Sequence, residues 1–373
     1  MRAFGGRNRH VIPVILITGY LGSGKTTVLN ELLKQDQRKV AIVVNDMGEV
    51  NVDAKTLNKA QKLDTTMIEL SNGCICCTLR DEFMTEIEKL SRSKGLEAIF
   101  VEASGISDPA SIAQAFLASE MNGTCKSVRL SSIVTVVDAD RIWAEFMAQM
   151  NEKTRAQEEE DPDVINLVMD QIEFCNLILL NKCDLLDEEK LEEVKKVIRK
   201  LQPEAPILQC VRGKVNADVI INDVRFDYDH AMNSSMIQKV LKRDEMGETC
   251  DDEYGITSFV FEERKPFDRE RFFLFLENEF PETIIRSKGY VWFADDPIHV
   301  QLVETAGRNA SVTEFSNWVD AFDEKDKQDV FENYPEVLEE WDEEYGDRLN
   351  QLVFIGKDYE KQRIKEALAK CLA

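Results

Sequence analysis

The residues best suited to chemistry near the start of the chain are Gly19-Tyr20-Leu21-Gly22-Ser23-Gly24-Lys25-Thr26. They follow the apolar run Val14-Ile15-Leu16-Ile17 and lead into a helical pattern from Thr27 to Leu33. Strand, glycine-rich loop and helix in that order make a phosphate-binding P-loop. Its glycines let the backbone curl until several N–H groups converge on one anion. Gly22, Ser23, Gly24, Lys25, Thr26 and Thr27 are therefore the expected phosphate ligands. Lys25 reaches the β/γ-phosphates, and the Thr26 hydroxyl is suited to Mg²⁺.

The base is indicated much later, where the apolar strand Leu177-Ile178-Leu179-Leu180 ends in Asn181-Lys182-Cys183-Asp184. This is the N-K-x-D pattern of guanine recognition. The Asp184 carboxylate accepts N1–H and the 2-amino group of guanine together, and adenine offers no such pair. A buried acceptor left unpaired is costly, so adenine is rejected and GTP or GDP is expected.

A third cluster, Gly73-Cys74-Ile75-Cys76-Cys77, lies between the strand Met67 to Leu70 and a helix beginning near Leu79. Cys74 and Cys76 point the same way from an extended segment, so at least two thiols can converge on one ion. The helix N-terminus and Arg80 favour thiolate over thiol. Thiolates with room for a fourth ligand suit Zn²⁺ best, with Co²⁺ or an iron-linked role also open. A redox dithiol or simple packing are the other readings.

These motifs need elements to hold them. From Val11 to about Asn222, short apolar strands alternate with helical segments, the pattern of an α/β P-loop NTPase with a mostly parallel sheet flanked by helices. The strands are Pro13 to Thr18, Val40 to Asn45, Thr66 to Leu70, Ala98 to Glu102, Ser132 to Asp138, Asn176 to Asn181 and Ile207 to Cys210. Ligands gather at their C-terminal ends. The polar stretch Asn151 to Asp163 reads as an exposed loop or helix extension before the helix-like Val164 to Phe174. The organisation expected is a P-loop domain over residues 11–222, a linker over 223–253 with a helix at Ser234 to Lys242, and a smaller α+β domain over 254–373. In that last domain the strands are Ile256 to Glu262, Gly289 to Ala294, Gln301 to Ala306 and Gln351 to Gly356. Its helices are Asp268 to Glu279 and Tyr359 to Cys371. The acidic stretch Asp320 to Asp347, with Phe322, Phe331, Tyr334, Trp341 and Tyr345, reads as an ordinary amphipathic helix in preference to a docking surface.

At 373 residues the chain is long enough for two cores. A net charge of −24 and a pI near 4.7 argue against a nucleic-acid partner. No apolar run approaches the roughly 20 residues of a membrane span, and the basic Met1 to His10 read as a flexible leader. The sequence thus reads as a soluble cytoplasmic protein. Its nine cysteines suggest thiols and metal ligation more than disulfides.

Taken together, the chain resembles the CobW-like family of metallochaperone GTPases, relatives of the proteins that insert nickel into urease and hydrogenase. The resemblance rests on Gly19 to Thr26, on Asn45-Asp46-Met47-Gly48-Glu49-Val50-Asn51-Val52-Asp53, on Cys74 to Cys77, on Glu102-Ala103-Ser104-Gly105 and on Asn181 to Asp184. It extends to Arg286-Ser287-Lys288-Gly289 and Leu352-Val353-Phe354-Ile355-Gly356 in the second domain. The resemblance implies that Asn45 to Asp53 is a nucleotide-responsive switch, and that Glu49 joins Cys74, Cys76 and Cys77 around a transition metal. It also implies that Glu102 helps Thr26 hold Mg²⁺ and that Gly105 senses the γ-phosphate through its amide. Lys25, Glu102 and Asp46 are the implied catalytic residues. The Glu102 assignment also follows from Ala98-Ile99-Phe100-Val101, which delivers a carboxylate at a strand end beside the phosphates.

The chain departs from the family pattern in several places. Asp46 stands where Glu is more usual, one methylene shorter toward Mg²⁺. A His-rich tract is missing, the histidines being His10, His230 and His299, which read as surface or packing residues. A helix position that carries His in some members is Ser119 or a neighbour. The Cys-Pro motif by which some members dock on methionine aminopeptidase does not occur in Met1 to Pro13.

The function expected is a slow GTPase that passes a divalent metal, Zn²⁺ first and Co²⁺ second, to a client metalloprotein. Neither nucleic acid nor membrane is an expected partner, and the state is monomer or weak homo-oligomer. An activator of a cobalt or iron enzyme such as nitrile hydratase, a small-molecule phosphotransferase and a GTP-binding scaffold are the competing readings.

Overall fold

A computed structural model describes residues 11–35, 38–45, 66–70, 80–144, 162–222, 226–234, 237, 256–307, 309–339 and 341–373. The apolar runs of the first part become β1 (Ile12–Thr18), β2 (Val40–Asn45), β3 (Thr66–Leu70), β4 (Ala98–Glu102), β5 (Val128–Asp138), β6 (Leu177–Asn181) and β7 (Ile207–Gln209). They form one seven-stranded sheet in the order β3-β2-β4-β1-β5-β6-β7. Every adjacent pair is parallel. β4 and β6 are buried along their whole length. Such strands read as unbroken apolar runs because helices cover both faces of the sheet.

Between the strands run α1 (Lys25–Gln35), α2 (Arg80–Ser91), α3 (Pro109–Met121), α4 (Ala139–Ile142), α5 (Pro162–Glu173), α6 (Glu188–Leu201), α7 (Ala217–Asn222) and α8 (Tyr228–Ser234). The stripe Val28, Leu29, Leu32 and Leu33 buries α1 against Ile15, Ile17, Val134 and Ile220. Parallel pairing carries every strand end to one edge of the sheet, so the loops that bear the motifs converge there.

β5 begins at Val128, ahead of the expected Ser132. Its register with β1 passes from Val14↔Leu130 to Ile15↔Ser132, and Ser131 is the extra residue of a bulge that the sequence pattern does not reveal.

The chain divides into two compact units, Met1–Met147 with Leu167–Met236, and Ala148–Asn166 with Ile237–Ala373. The described residues 226–234, inside the stretch expected as a linker, belong to the first unit. Phe226 N–H donates to Ser131 O (2.8 Å), and Gln202 Nε2 donates to Ser234 Oγ (2.9 Å).

The second unit is a five-stranded antiparallel sheet in the order β11-β10-β9-β12-β8, from β8 (Ile256–Glu263), β9 (Ile284–Phe293), β10 (Asp296–Ala306), β11 (Asn309–Asn317) and β12 (Asn350–Lys357). Its main core is aromatic, with Phe259, Phe261, Phe267, Phe293 and Phe354 packed against Phe272 of α9 (Arg269–Leu274) and against α11 (Lys361–Lys370). Asp268 caps α9 by accepting from Arg271 N–H, and the helix then widens into a π-turn over Phe275–Glu279.

The acidic stretch differs from expectation. Its main helix, α10 (Glu324–Asn333), buries none of its residues. The aromatics do not line one helix stripe: Phe331 meets Trp341 edge-on at 5.0 Å, and Tyr345 packs against Trp292 beside Val300 and Trp318.

Arg286 is fully buried in this unit. Its guanidinium donates to Glu304 Oε1 (3.1 Å) and Asn166 Oδ1 (2.9 Å), and Lys288 Nζ shares the Glu304 carboxylate at 2.7 Å. Removing one partner of a buried ion pair leaves the rest of the network desolvated and incomplete, so Arg286→Ala is expected to destabilise this unit by about 3 kcal/mol. Urea unfolding followed by tryptophan fluorescence in a Trp143→Phe background, which leaves Trp292, Trp318 and Trp341 of this unit, measures it; an unshifted midpoint would show that the network does not hold the sheet.

Candidate functional site

The P-loop leaves the end of β1, and α1 opens at Lys25. Val28 N–H donates to Gly24 O (2.9 Å) as an early helical bond, so the amides ahead of it point out of the helix N-terminus into the loop. Gly24 has φ +103°, and a Cβ there would run into the Asn181 carboxamide, so glycine is required twice over. Lys25 Nζ donates to Gly19 O (2.8 Å) and Tyr20 O (3.2 Å), which holds the ammonium over the loop. Phosphate oxygens are stronger, charged acceptors for the same group. Among the described residues the buried hydroxyls Thr18 Oγ1 and Ser23 Oγ have no hydrogen-bond partner. An unsatisfied buried hydroxyl costs about 1–3 kcal/mol, which a polar ligand in the loop offsets.

The register Ile17↔Glu102 sets the end of β4 beside the P-loop, and Ala103 N–H donates to Ile17 O (2.9 Å). The result is a contact between residues 76 apart in sequence: Thr26 Oγ1 donates to Glu102 Oε1 at 2.6 Å. Two hard oxygen donors brought together at the phosphate end are what Mg²⁺ requires of a protein. Gly105 follows on the loop between β4 and α3. A Cβ there would lie 2.7 Å from Leu21 N, so only glycine lets this loop rest against the P-loop.

β6 delivers the residues expected to read the base. Asn181 is 2% exposed; its Nδ2 donates to Ser23 O (2.9 Å), and its Oδ1 accepts from Gly213 N–H (3.2 Å) and the Cys210 thiol (3.5 Å). Lys182 takes a left-handed backbone, φ 60°, and its Nζ pairs with Asp138 Oδ2 at 2.5 Å. The chain then turns through a short 3₁₀ segment, Cys183–Leu185, that sets Asp184 on the exposed side.

The structure therefore brings together Gly22, Ser23, Gly24, Lys25, Thr26, Thr27, Glu102, Gly105, Asn181, Lys182 and Asp184 along one sheet edge. Asp46, Glu49, Cys74, Cys76 and Cys77 lie outside the described residues. The described histidines have carboxylate partners: His230 Nε2 lies 2.7 Å from Glu204, and His299 Nδ1 lies 2.8 Å from Asp296. Ser119 is buried on α3 and bonded to the Thr124 hydroxyl at 2.8 Å.

Sequence reasoning passed over Asp138, Gln171 and the loop Cys210-Val211-Arg212-Gly213. Two of these carried a signal. Asp138 and Cys210 each stand at the C-terminal end of a strand in a parallel sheet, where ligand loops begin. Gln171, inside a helix, carried none.

With this geometry in view, comparison with known proteins is direct. Residues 13–209 match the family model "CobW/HypB/UreG, nucleotide-binding domain", and residues 256–372 match "Cobalamin synthesis protein cobW C-terminal domain". The chain belongs to the CobW/HypB/UreG family. It is 34% identical to "Zinc-regulated GTPase metalloprotein activator 1" of Dictyostelium discoideum, over 97% of this chain and 80% of that protein. It is 30% identical to "Zinc chaperone CobW" of Sinorhizobium sp, over 80% and 86%. A "Zinc chaperone CobW" of Pseudomonas aeruginosa is 32% identical over 56% of this chain and 59% of its own length.

In this CobW-type chain the described cysteines are a population apart from the motif. Burial pushes the thiols of Cys125, Cys175 and Cys210 up to about 12 and that of Cys371 to about 11, and raises Cys183 as well. A raised thiol stays protonated at pH 8 and is a poor nucleophile. Brief alkylation of the native protein at pH 8 is expected to leave all five unmodified. Peptide mass spectrometry checks this, and rapid labelling of any of them would contradict its burial.

Proposed function

We propose that this P-loop GTPase is a metallochaperone that binds Zn²⁺ at Cys74, Cys76, Cys77 and Glu49 and releases it to a client metalloprotein under nucleotide control. The observation that carries the reading is a register. Asn45 pairs with Leu70 at the C-terminal ends of β2 and β3, and Val44 pairs with Glu102 on β4. The segment bearing Glu49 and the segment bearing Cys74 therefore leave the sheet from adjacent points, next to the strand that ends in Glu102. Each residue lies four positions past its strand end, within a reach of about 14 Å. The relatives named as zinc chaperones and as a zinc-regulated GTPase support zinc as the metal.

In the nucleotide cycle Lys25 and the α1 amides would hold the phosphates, Thr26 and Glu102 would hold Mg²⁺, and Asp184 would read the guanine edge. Bound Mg²⁺ supplies charge neutralisation for the β/γ-phosphates. Asp46 follows directly on β2 and is assigned to the same Mg²⁺ shell. Ordering of the segment Asn45 to Asp53 by the terminal phosphate changes the position of Glu49, and with it the metal affinity. The coupling is reciprocal: whatever factor GTP imposes on zinc affinity, zinc imposes on GTP affinity. The working compartment is the cytoplasm; among the described residues no helix is long and apolar enough to cross a membrane.

A competitive Zn²⁺ titration of reduced protein, apo and with Mg²⁺ and a non-hydrolysable GTP analogue, tests the reading beside a Cys74/Cys76/Cys77 triple alanine variant. The expected result is a site lost in the variant and shifted by the analogue. A thiol-independent site, or one indifferent to nucleotide, would sink the proposal.

The nucleotide half has its own test. Lys25→Ala should abolish GTP turnover. Asp184→Asn should lower GTP affinity by about a hundredfold or more, because the guanine N1–H and 2-amino donors lose their shared acceptor. Unchanged GTP affinity in Asp184→Asn would mean that this residue does not read the base.

A further inference from the structure

Gln171 has no part in the chemistry described so far, yet it is 1% exposed in the middle of the first unit. From α5, its Nε2 donates to two carbonyls of the β4–α3 loop, Gly105 O (3.3 Å) and Ser107 O (3.1 Å). The backbone carbonyl of Gln171 accepts from Thr135 Oγ1 on β5 at 2.6 Å, which seats this turn of α5 on the sheet.

The consequence follows from peptide geometry. In a planar trans peptide the C=O and N–H groups point in opposite directions. Fixing Gly105 O and Ser107 O toward Gln171 therefore turns the N–H groups of Ile106 and Asp108 away from it. One carboxamide sets the orientation of these two peptide units directly; the Gly105 N–H belongs to the preceding peptide, whose Ser104 carbonyl accepts from Ser107 N–H (3.1 Å), so Gln171 holds it through the Gly105 and Ser107 carbonyls beside it.

The rest of the loop is anchored as well. At one end Glu102 accepts from Thr26, and at the other Asp108 caps α3 by accepting from Ala110 and Ser111 N–H. Between them the Ser104 and Ser107 hydroxyls are 2.7 Å apart, and Gly105 rests against Leu21 of the P-loop. Gln171 Oε1 is buried without a hydrogen-bond partner among the described residues. An apolar side chain of the same length would pack without that cost, so the amide is present for what its N–H groups hold.

We propose that Gln171 is a positioning residue of the nucleotide cycle: it holds the loop Ala103–Asp108 in the orientation that distinguishes GTP from GDP. The proposal rests on the reading that this loop, through Gly105, faces the terminal phosphate.

The test compares the affinities of a fluorescent GDP and a non-hydrolysable GTP analogue, both with Mg²⁺, for the full chain. Gln171→Met keeps the length and removes the donor; Gln171→Glu keeps the shape and turns a donor into an acceptor. In both, GDP affinity is expected within about twofold of wild type, while analogue affinity falls about tenfold, the scale of one lost hydrogen bond. Equal losses for the two nucleotides would make Gln171 a fold-supporting residue and overturn the proposal, as would no loss for either.

Thr135→Val removes the bond that seats the α5 turn, together with the hydroxyl's contact to the buried Cys175 thiol, and should give the same analogue-selective loss, about threefold. If the Gln171 variants fail to fold, this variant decides, and an unselective result overturns the proposal. Gly105→Ala separates the two levels of the argument. If it leaves analogue affinity intact, the loop does not face the terminal phosphate and both readings fall. If it lowers analogue affinity well beyond GDP affinity while the Gln171 and Thr135 variants do not, the loop reading stands and the role of Gln171 falls; an equal loss for both nucleotides, the mark of a clash with Leu21 of the P-loop, overturns the loop reading too.

Discussion

The buried carboxamide of Asn181 is the interaction that joins the phosphate end of the sheet to the end of β6. β6 is separated from β1 by β5, so their ends lie two strand spacings apart, about 9.6 Å. The backbone cannot close that distance by itself. Asn181 closes it by donating to Ser23 O in the P-loop and accepting from Gly213 N–H in the loop after β7. A phosphate half and a base half contributed by residues 158 apart in sequence are thus held as one surface. Nucleotide binding then spends little ordering entropy on aligning the halves. The left-handed turn at Lys182 follows from the same constraint. With Asn181 fixed inward, the chain reverses immediately for Asp184 to reach the exposed side, and the Lys182–Asp138 pair holds the reversal.

Much of this was legible in the sequence because the signals were local. A strand buried on both faces is an unbroken apolar run, so Ala98 to Glu102 and Leu177 to Asn181 could be placed almost to the residue. The P-loop and the N-K-x-D run carry their chemistry in adjacent positions. What escaped was set by partners far along the chain. β11, Asn309–Asn317, has no apolar run; it is an edge strand, mostly half-exposed or exposed, and takes its register from β10. β7 is three residues long and gives little warning that the loop after it carries Gly213 to Asn181. Gln171 looks like any polar helix residue until tertiary packing sets it against Gly105.

Composition was also less direct a guide than it looked. An excess of acidic residues argues less directly about partners where the carboxylates also serve local structure. Here Asp108, Asp187, Asp268 and Asp323 each cap a helix by accepting backbone N–H groups at its start, where the helix dipole favours negative charge. Part of the net charge of −24 is therefore structural. The cysteines divide in a similar way. Cys125, Cys175, Cys183, Cys210 and Cys371 behave as small buried hydrophobes, and burial keeps them protonated. What sets Cys74, Cys76 and Cys77 apart is their spacing, and the metal reading stands on that spacing and on the strand ends that flank it.

At the loops nearest the phosphates, two neutral carboxamides serve as braces, Asn181 on one side and Gln171 on the other. That choice has an electrostatic rationale. GTP and GDP differ in charge at the terminal phosphate, and a low-dielectric site amplifies every charge–charge interaction near it. A lysine or carboxylate used as a brace would change its own interaction energy at each step of the cycle, and the brace would shift with the ligand. A carboxamide supplies two donors and an acceptor with no net charge, so its bonds to backbone carbonyls and amides respond little to the phosphate. The charged groups at the phosphate end, Lys25 and Glu102, are then the ones that answer to it. The terminal phosphate's charge is then met by groups that carry charge themselves, and the carboxamides keep their places.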